Sequence, residues 1–172
     1  ERALRPGDGV GIGALTRHMD VEKSPVLAEH VPLLANAAGY VGDPQVRNRG
    51  TIGGSIANND PAADYPAAAL ALGATIVTNK RKIPAEQFFA GLFDTALEPG
   101  EVIVKVAFPV PSRAAYAKFR NPASRYALVG VFVAQMGDGS VRVAVTGATG
   151  SVFRCAPLEA ALAKSFTADA AK

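Results

Sequence analysis

Asn48-Arg49-Gly50-Thr51-Ile52-Gly53-Gly54-Ser55-Ile56-Ala57-Asn58-Asn59-Asp60-Pro61-Ala62-Ala63-Asp64-Tyr65-Pro66 is the stretch on which the reading of this 172-residue chain turns. Adjacent glycines such as Gly53 and Gly54 let a ligand approach the backbone with no Cβ in the way, and they permit positive φ. Successive N–H groups in a glycine turn converge into an anion-binding concavity. Thr51 and Ser55 add hydroxyl donors. A helix start follows, and its free N–H groups and dipole favour negative charge. The stretch therefore reads as a loop able to cradle a phosphate or pyrophosphate, although a Gly-Gly pair taken alone is more often a tight turn. Asp64, ten residues beyond Gly54, needs a separate account. An ionised carboxylate only accepts hydrogen bonds. It would repel a phosphate but suits ribose hydroxyls or a ring N–H. A plain helix N-cap before Pro66 is the structural alternative, and both roles are compatible.

Composition bounds the rest. Hydrophobic residues make up 49% of the chain and charged residues 19%, so a core can form and disorder is excluded for most of it. No apolar run reaches about 18 residues, so no membrane-spanning helix is expected. The net charge is +3 and scattered, a poor footprint for nucleic acid. The sole cysteine, Cys155, leaves no disulfide framework, four-cysteine zinc site or iron–sulfur cluster in this chain, and it reads as a small buried residue. Two histidines, His18 and His30, make no metal-site spacing with it. His18 reads as a helix-end residue. No nucleophile-elbow pattern points to a hydrolase.

Outward from the central stretch, residues 10–15 read as a strand, with Thr16 capping a short helix that runs to Glu22. Ser24-Pro25 and Pro32 start two further helices, the second ending at Gly39 or Gly42. Residues 42–59 read as loop. Residues 67–72 are helical, with Gly73 as the C-terminal cap. Residues 75–78 read as a strand and 79–82 as a basic turn, either a solvated hairpin tip or a docking surface. Residues 83–92 are partly helical, and 101–108 form a β-branched strand. Pro109-Val110-Pro111-Ser112 is the linker. Beyond it come a strand at 116–120, then strands at 126–136 and 140–146 joined by Gly137-Asp138-Gly139, a hairpin signal. A helix follows at 157–164. The fold class is α+β, in two units meeting near residue 110. Val145-Thr146-Gly147-Ala148-Thr149-Gly150 imitates a nicotinamide-binding turn. Phe153 stands where its third glycine belongs, and too little chain follows for a βαβ unit.

Thr51-Ile52-Gly53-Gly54-Ser55-Ile56-Ala57, with Asp60-Pro61 and Asp64, resembles the second FAD motif of the flavin-carrying medium subunit of molybdenum hydroxylases. That family includes aerobic carbon monoxide dehydrogenase and the FAD domain of xanthine dehydrogenase. The flanks agree: Gly13-Ala14-Leu15-Thr16 with His18, Pro32-Leu33-Leu34, Gln45-Val46-Arg47-Asn48, Gly100-Glu101-Val102-Ile103, and Asn121-Pro122-Ala123-Ser124-Arg125-Tyr126-Ala127. The resemblance is greatest to the carbon monoxide dehydrogenase branch. It implies the C-terminal portion of a PCMH-type FAD-binding domain at residues 1–110. The front portion of a CO dehydrogenase flavoprotein C-terminal domain, an antiparallel sheet plus helices, is implied at 111–172. FAD is the implied cofactor. The implied partners are a large molybdenum-cofactor subunit and a small subunit with 2Fe–2S clusters, in a heterotrimer or its dimer, in the cytoplasm or peripheral on the inner face of the membrane. Electrons would pass from the clusters through FAD to an external acceptor.

Residue by residue, the resemblance implies that Thr51, Ile52, Gly53, Gly54 and Ser55 contact the FAD pyrophosphate, mainly through backbone N–H groups. It implies that Asp64 holds the cofactor and that Ile103 or Val104 walls the isoalloxazine. Lys118 would approach the flavin or its phosphates, or stand as a solvated strand lysine. Tyr126 would cover a flavin face or pack in the core. No catalytic residue and no metal ligand is implied. The family's first FAD motif has no match in the 50 residues before Thr51. The chain is therefore expected to be a fragment of a longer protein that by itself holds FAD weakly or not at all. A truncated module serving only subunit assembly is the alternative.

Overall fold

The computed structural model describes residues 9–171. The opening run Glu1-Arg2-Ala3-Leu4-Arg5-Pro6-Gly7 and Lys172 lie outside the described residues. Strand β1 (Gly9–Gly13) alternates exposed and buried positions, turning Val10 and Ile12 inward. Six short helices follow: α1 (His18–Glu22), α2 (Pro25–His30), α3 (Pro32–Gly39), α4 (Pro44–Arg49), α5 (Ile52–Asn58) and α6 (Asp64–Leu72). Their starts are written in capping chemistry. Ser24 accepts from Leu27 N–H at 3.3 Å, Asp43 from Val46 N–H at 2.9 Å and Thr51 from Gly54 N–H at 3.1 Å. Pro25, Pro32 and Pro44 occupy first-turn positions, where a missing N–H is harmless.

Two expectations are corrected here. Helix α1 starts at His18, and its N-cap is Arg17 without a side-chain cap, not Thr16. The backbone at Thr16 is engaged elsewhere, its carbonyl accepting from Ile52 N–H at 3.0 Å while Arg17 bridges to Thr51. Residues 42–59 are mostly helix rather than loop. Asp43-Pro44 carries the same cap-plus-proline signal as Ser24-Pro25, and Gly53-Gly54 lies in the first turn of α5.

Next come β2 (Thr75–Thr78), β3 (Lys82–Pro84), α7 (Ala85–Phe88), β4 (Phe89–Gly91), β5 (Asp94–Thr95) and β6 (Ile103–Pro109). Strands β1, β6, β2 and β3 form an antiparallel sheet in that order. Its register lines up Ile12, Val106, Ile76 and Ile83 as one buried row. The basic turn after β2 is tied down: Arg81 donates to the buried Glu101 carboxylate, and Lys80 pairs with Glu98.

After Val110–Ser112 come β7 (Arg113–Arg120), β8 (Ala127–Gln135), β9 (Val141–Thr146), β10 (Phe153–Arg154) and α8 (Ala156–Lys164). A second antiparallel sheet runs β10-β9-β8-β7, with the β8–β9 hairpin closed over residues 137–139 as read. Helix α6 joins the two parts. All nine of its residues are buried, because it packs on the second sheet as well as on α3 and α5. A helix apolar on every side is a buried helix, and here alanine lets its neighbours come close. Cys155 is half-buried beside α8 rather than fully buried. No helix among the described residues is long and apolar enough to cross a membrane.

A candidate cofactor cavity

Helix α5 divides its residues by face. Ile52, Gly53 and Ile56 are buried, while Thr51, Gly54, Ser55 and Asn58 line a cavity of about 620 Å³. The two glycines do different work. A Cβ on Gly53 would lie 2.6 Å from the Ala14 Cβ and 2.7 Å from the Ala14 carbonyl oxygen, so Gly53 exists to let α5 pack on the turn after β1. A Cβ on Gly54 would meet only the Thr51 hydroxyl, at 3.1 Å. Gly54 alone of the pair bares backbone to the cavity. Gly50 makes a third close fit, since a Cβ there would sit 2.5 Å from His18 Nε2.

The first-turn N–H groups of α5 are already partnered. Ile52 N–H donates to the Thr16 carbonyl, Gly53 N–H to the Ala14 carbonyl at 2.9 Å, and Gly54 N–H to the Thr51 hydroxyl. The expected nest of free N–H groups is therefore corrected. What this side presents is the Thr51 and Ser55 hydroxyls, the Asn58 amide and the polarity of the helix start.

The opposite wall comes from α6, β7 and the turn after it. Asp64 lies in the first turn of α6, with Ala63, not Asp64, as the N-cap. The Asp64 side chain is 4% exposed, and its Oδ2 accepts from Lys118 Nζ at 2.9 Å, while Tyr116 donates its hydroxyl to Oδ1. Lys118 also donates to the Tyr40 carbonyl at 3.1 Å, and its side chain is only 2% exposed, so it is no solvated strand lysine. Burial pushes the Asp64 carboxyl above the usual carboxylate range, and the Lys118 ammonium and Tyr116 hydroxyl pull against that shift. Tyr126 stands 49% exposed on the cavity wall rather than in the core. Arg49 and Arg125 add cations at the rim, Arg125 with a left-handed φ of 63°.

Segments far apart in the chain thus meet around one space. Of the residues picked from sequence, Thr51, Gly54, Ser55, Asp64, Lys118 and Tyr126 line it together. Ile52 and Gly53 sit beneath it, packed inward. Ile103 is not among the cavity's lining residues: it is half-buried in β6, paired with Thr78. Two residues of the site were read from sequence in other roles, His18 as a helix-end residue, which it is, and Tyr116 as part of a strand. His18 lines the floor of the cavity at 4% exposure, its ring tilted by 39° against Tyr65, with its Nδ1 unpartnered. Burial, reinforced by Arg47, lowers its pKa to about 4. Tyr116 was legible in principle, because it lies two positions from Lys118 on one strand and so shares its face. The Thr146-Gly147 turn is engaged by the chain itself. The Thr146 hydroxyl lies 2.8 Å from both the Pro61 and the Ala63 carbonyl oxygens, which share its one hydrogen, and Gly147 N–H donates to the Pro61 carbonyl, anchoring the turn that leads into Asp64.

A half-open cavity lined by hydroxyls, an amide, cations, one buried carboxylate and an exposed aromatic ring fits a large polar cofactor with an anionic linker and a flat ring. Comparison with known proteins is specific about the class. Residues 2–111 match the family described as the FAD-binding domain in molybdopterin dehydrogenase, and the chain belongs to that family. It is similar to the carbon monoxide dehydrogenase medium chain of Hydrogenophaga pseudoflava, 38% identical over 159 residues, covering 86% of this chain and 55% of that one. It is similar also to the glyceraldehyde dehydrogenase medium chain of Sulfolobus acidocaldarius, 38% identical over 162 residues, covering 88% of this chain and 58% of that one. The solved carbon monoxide dehydrogenase of Hydrogenophaga pseudoflava superposes with a TM-score of 0.86 over 97% of this chain and 62% of the matched one, at 38% identity. The chain therefore spans little more than half the length of these relatives. Its fold is the family's α+β FAD-binding fold, and FAD is the family's cofactor.

Proposed function

We propose that this chain is part of the flavin-carrying subunit of a molybdenum hydroxylase of the carbon monoxide dehydrogenase kind, and that its cavity holds FAD. The observation that carries the reading is the convergence of Thr51, Gly54 and Ser55 with Asp64, Lys118 and Tyr126 on one space. The Thr51 and Ser55 hydroxyls receive the pyrophosphate, the missing Cβ of Gly54 lets it come close, and Arg49 balances its charge. Asp64 accepts from hydroxyl or N–H groups of the cofactor. Lys118 acts chiefly by holding Asp64. Tyr126 offers its ring to a flat partner. Ile52 and Gly53 contribute by seating α5, and Ile103 keeps only the more distant role of an apolar wall on β6.

Bound FAD supplies the ability to take electrons singly or in pairs, which suits a relay between one-electron clusters and a two-electron acceptor. The partners in this reading are a large molybdenum-cofactor subunit and a small 2Fe–2S subunit in the cytoplasm, and substrate chemistry takes place outside this chain. Residues 1–110 and 111–172 act as two domains that share the cofactor across α6.

Titration of FAD against the purified chain, followed by flavin fluorescence, tests the assignment. Saturable quenching that weakens in Gly54→Ala and Ser55→Ala supports it. Absence of saturable binding, by the chain alone and by any complex it co-purifies with, overturns it and leaves an assembly module without cofactor.

A further inference from the structure

Tyr116 projects from the same face of β7 as Lys118, toward α6. Its ring stacks on Phe132 with centroids 3.7 Å apart and planes 11° from parallel, and it meets Tyr40 edge-on at 6.0 Å. A phenylalanine would stack equally well, so the hydroxyl calls for its own explanation. Part of it lies on β8, where Gly130 pairs with Lys118. A Cβ on Gly130 would lie 2.7 Å from the Tyr116 hydroxyl and 2.8 Å from the Thr146 Cγ2. Glycine inside a strand forgoes packing and marks a close approach. Here the sheet leaves open the space into which the hydroxyl reaches.

The two Asp64 oxygens are divided, Oδ1 to Tyr116 and Oδ2 to Lys118. Two donors at two oxygens fix the plane of the carboxylate. Each carboxylate oxygen accepts more than one hydrogen bond, so acceptor capacity remains on the side that lines the cavity. We propose that Tyr116 is a positioning residue whose hydroxyl, admitted by Gly130, orients the Asp64 carboxylate so that its remaining lone pairs face the cavity and accept from the cofactor. The identity of the ligand rests on the FAD reading above, whereas the hold of Tyr116 on Asp64 does not.

The groups facing Asp64 are Lys118 and Tyr116 from β7 and Tyr65 from its own helix, with Tyr40 behind Tyr116. Lys118 and Tyr116 both favour the carboxylate against burial. Removing the Tyr116 hydroxyl therefore raises the midpoint at which Asp64 titrates, and a protonated Asp64 accepts less well.

The test uses Tyr116→Phe, which keeps the stack, and Gly130→Ala, which keeps the tyrosine but displaces its hydroxyl. In FAD-free protein, side-chain carboxyl ¹³C NMR should show the Asp64 midpoint moved upward in both. FAD titrations from about pH 5 to about pH 8 should show affinity about tenfold weaker at neutral pH, the scale of a lost hydrogen bond to a charged group. They should also show the fall in affinity beginning at higher pH than in the wild type. A role in stability alone would lower the melting temperature yet leave the Asp64 midpoint and the pH profile in place, and that result overturns the proposal. If the wild-type chain takes up no FAD, the functional reading fails while the carboxyl midpoint still decides the positioning role.

Discussion

The two walls of the cavity are built on opposite principles. The α5 wall is neutral and closed on itself: three first-turn N–H groups are bonded to Thr16, Ala14 and Thr51, and its polarity toward the cavity comes from hydroxyls and an amide. The wall made by α6 and β7 is charged and buried: Asp64 and Lys118 face one another with almost no solvent and depend on each other. The first wall is set by backbone packing, the second by a side-chain pair joining residues 54 positions apart. A neutral wall of this kind tolerates loss of one polar group, because no buried charge is left alone. The charged wall does not.

Breaking the charged wall should therefore have the largest effect. Lys118→Ala leaves Asp64 buried without its cation and should cost about 3–5 kcal/mol in denaturant unfolding. A loss under about 1 kcal/mol would mean that the pair is solvated and the contrast false. Next, Gly53→Ala forces a methyl against Ala14 and should cost about 1–3 kcal/mol by overpacking. Gly54→Ala, one residue on, should be nearly silent in stability while weakening FAD binding. If the two substitutions behave alike, the division of labour between the glycines is wrong.

The pH dependence sharpens the neutral side. His18 has its pKa lowered to about 4 from the ordinary 6.5, so the folded chain resists a proton that the unfolded chain accepts. Its contribution to stability is present above pH 6.5 and is lost as pH falls toward 4, after which the dependence flattens. Chemical denaturation at stepped pH should show that slope, and His18→Gln should reduce it. In stability, Thr51→Ala should cost about 1 kcal/mol, the worth of the cap it removes.

How far these features were legible from sequence differs between the walls. Capping and turn chemistry is local, so Ser24-Pro25, Pro32, Gly73 and the 137–139 hairpin stand where the sequence puts them. The same rules, applied at Asp43-Pro44, would have found α4, which a high content of Gly, Asn and Arg disguised as loop. Thr51, Gly54 and Ser55 could be picked out because glycine and hydroxyls beside a helix start have a chemical meaning at short range. The distinction between Gly53 and Gly54 could not. It depends on Ala14, 39 residues earlier, arriving within 2.6 Å of a Cβ that is not there.

By itself, then, the sequence determined the starts of α2 and α3, the longer strands, the α+β class, the flavoprotein family and most of the cavity's polar residues, since each is carried by local periodicity, by capping or by a contiguous motif, whereas the short strands β3, β4, β5 and β10 and the helices α4 and α5 went unread. Tertiary structure alone decided what those residues do. It turned Asp64 toward Lys118 and Tyr116, buried His18 beneath the cavity, set Ile103 apart from the cavity lining, and made the Thr146-Gly147 turn an anchor for residues 61–63. The physical reason is that charge pairing, desolvation and close packing act between atoms in space. Residues distant in sequence meet there because α6 packs against both halves of the chain.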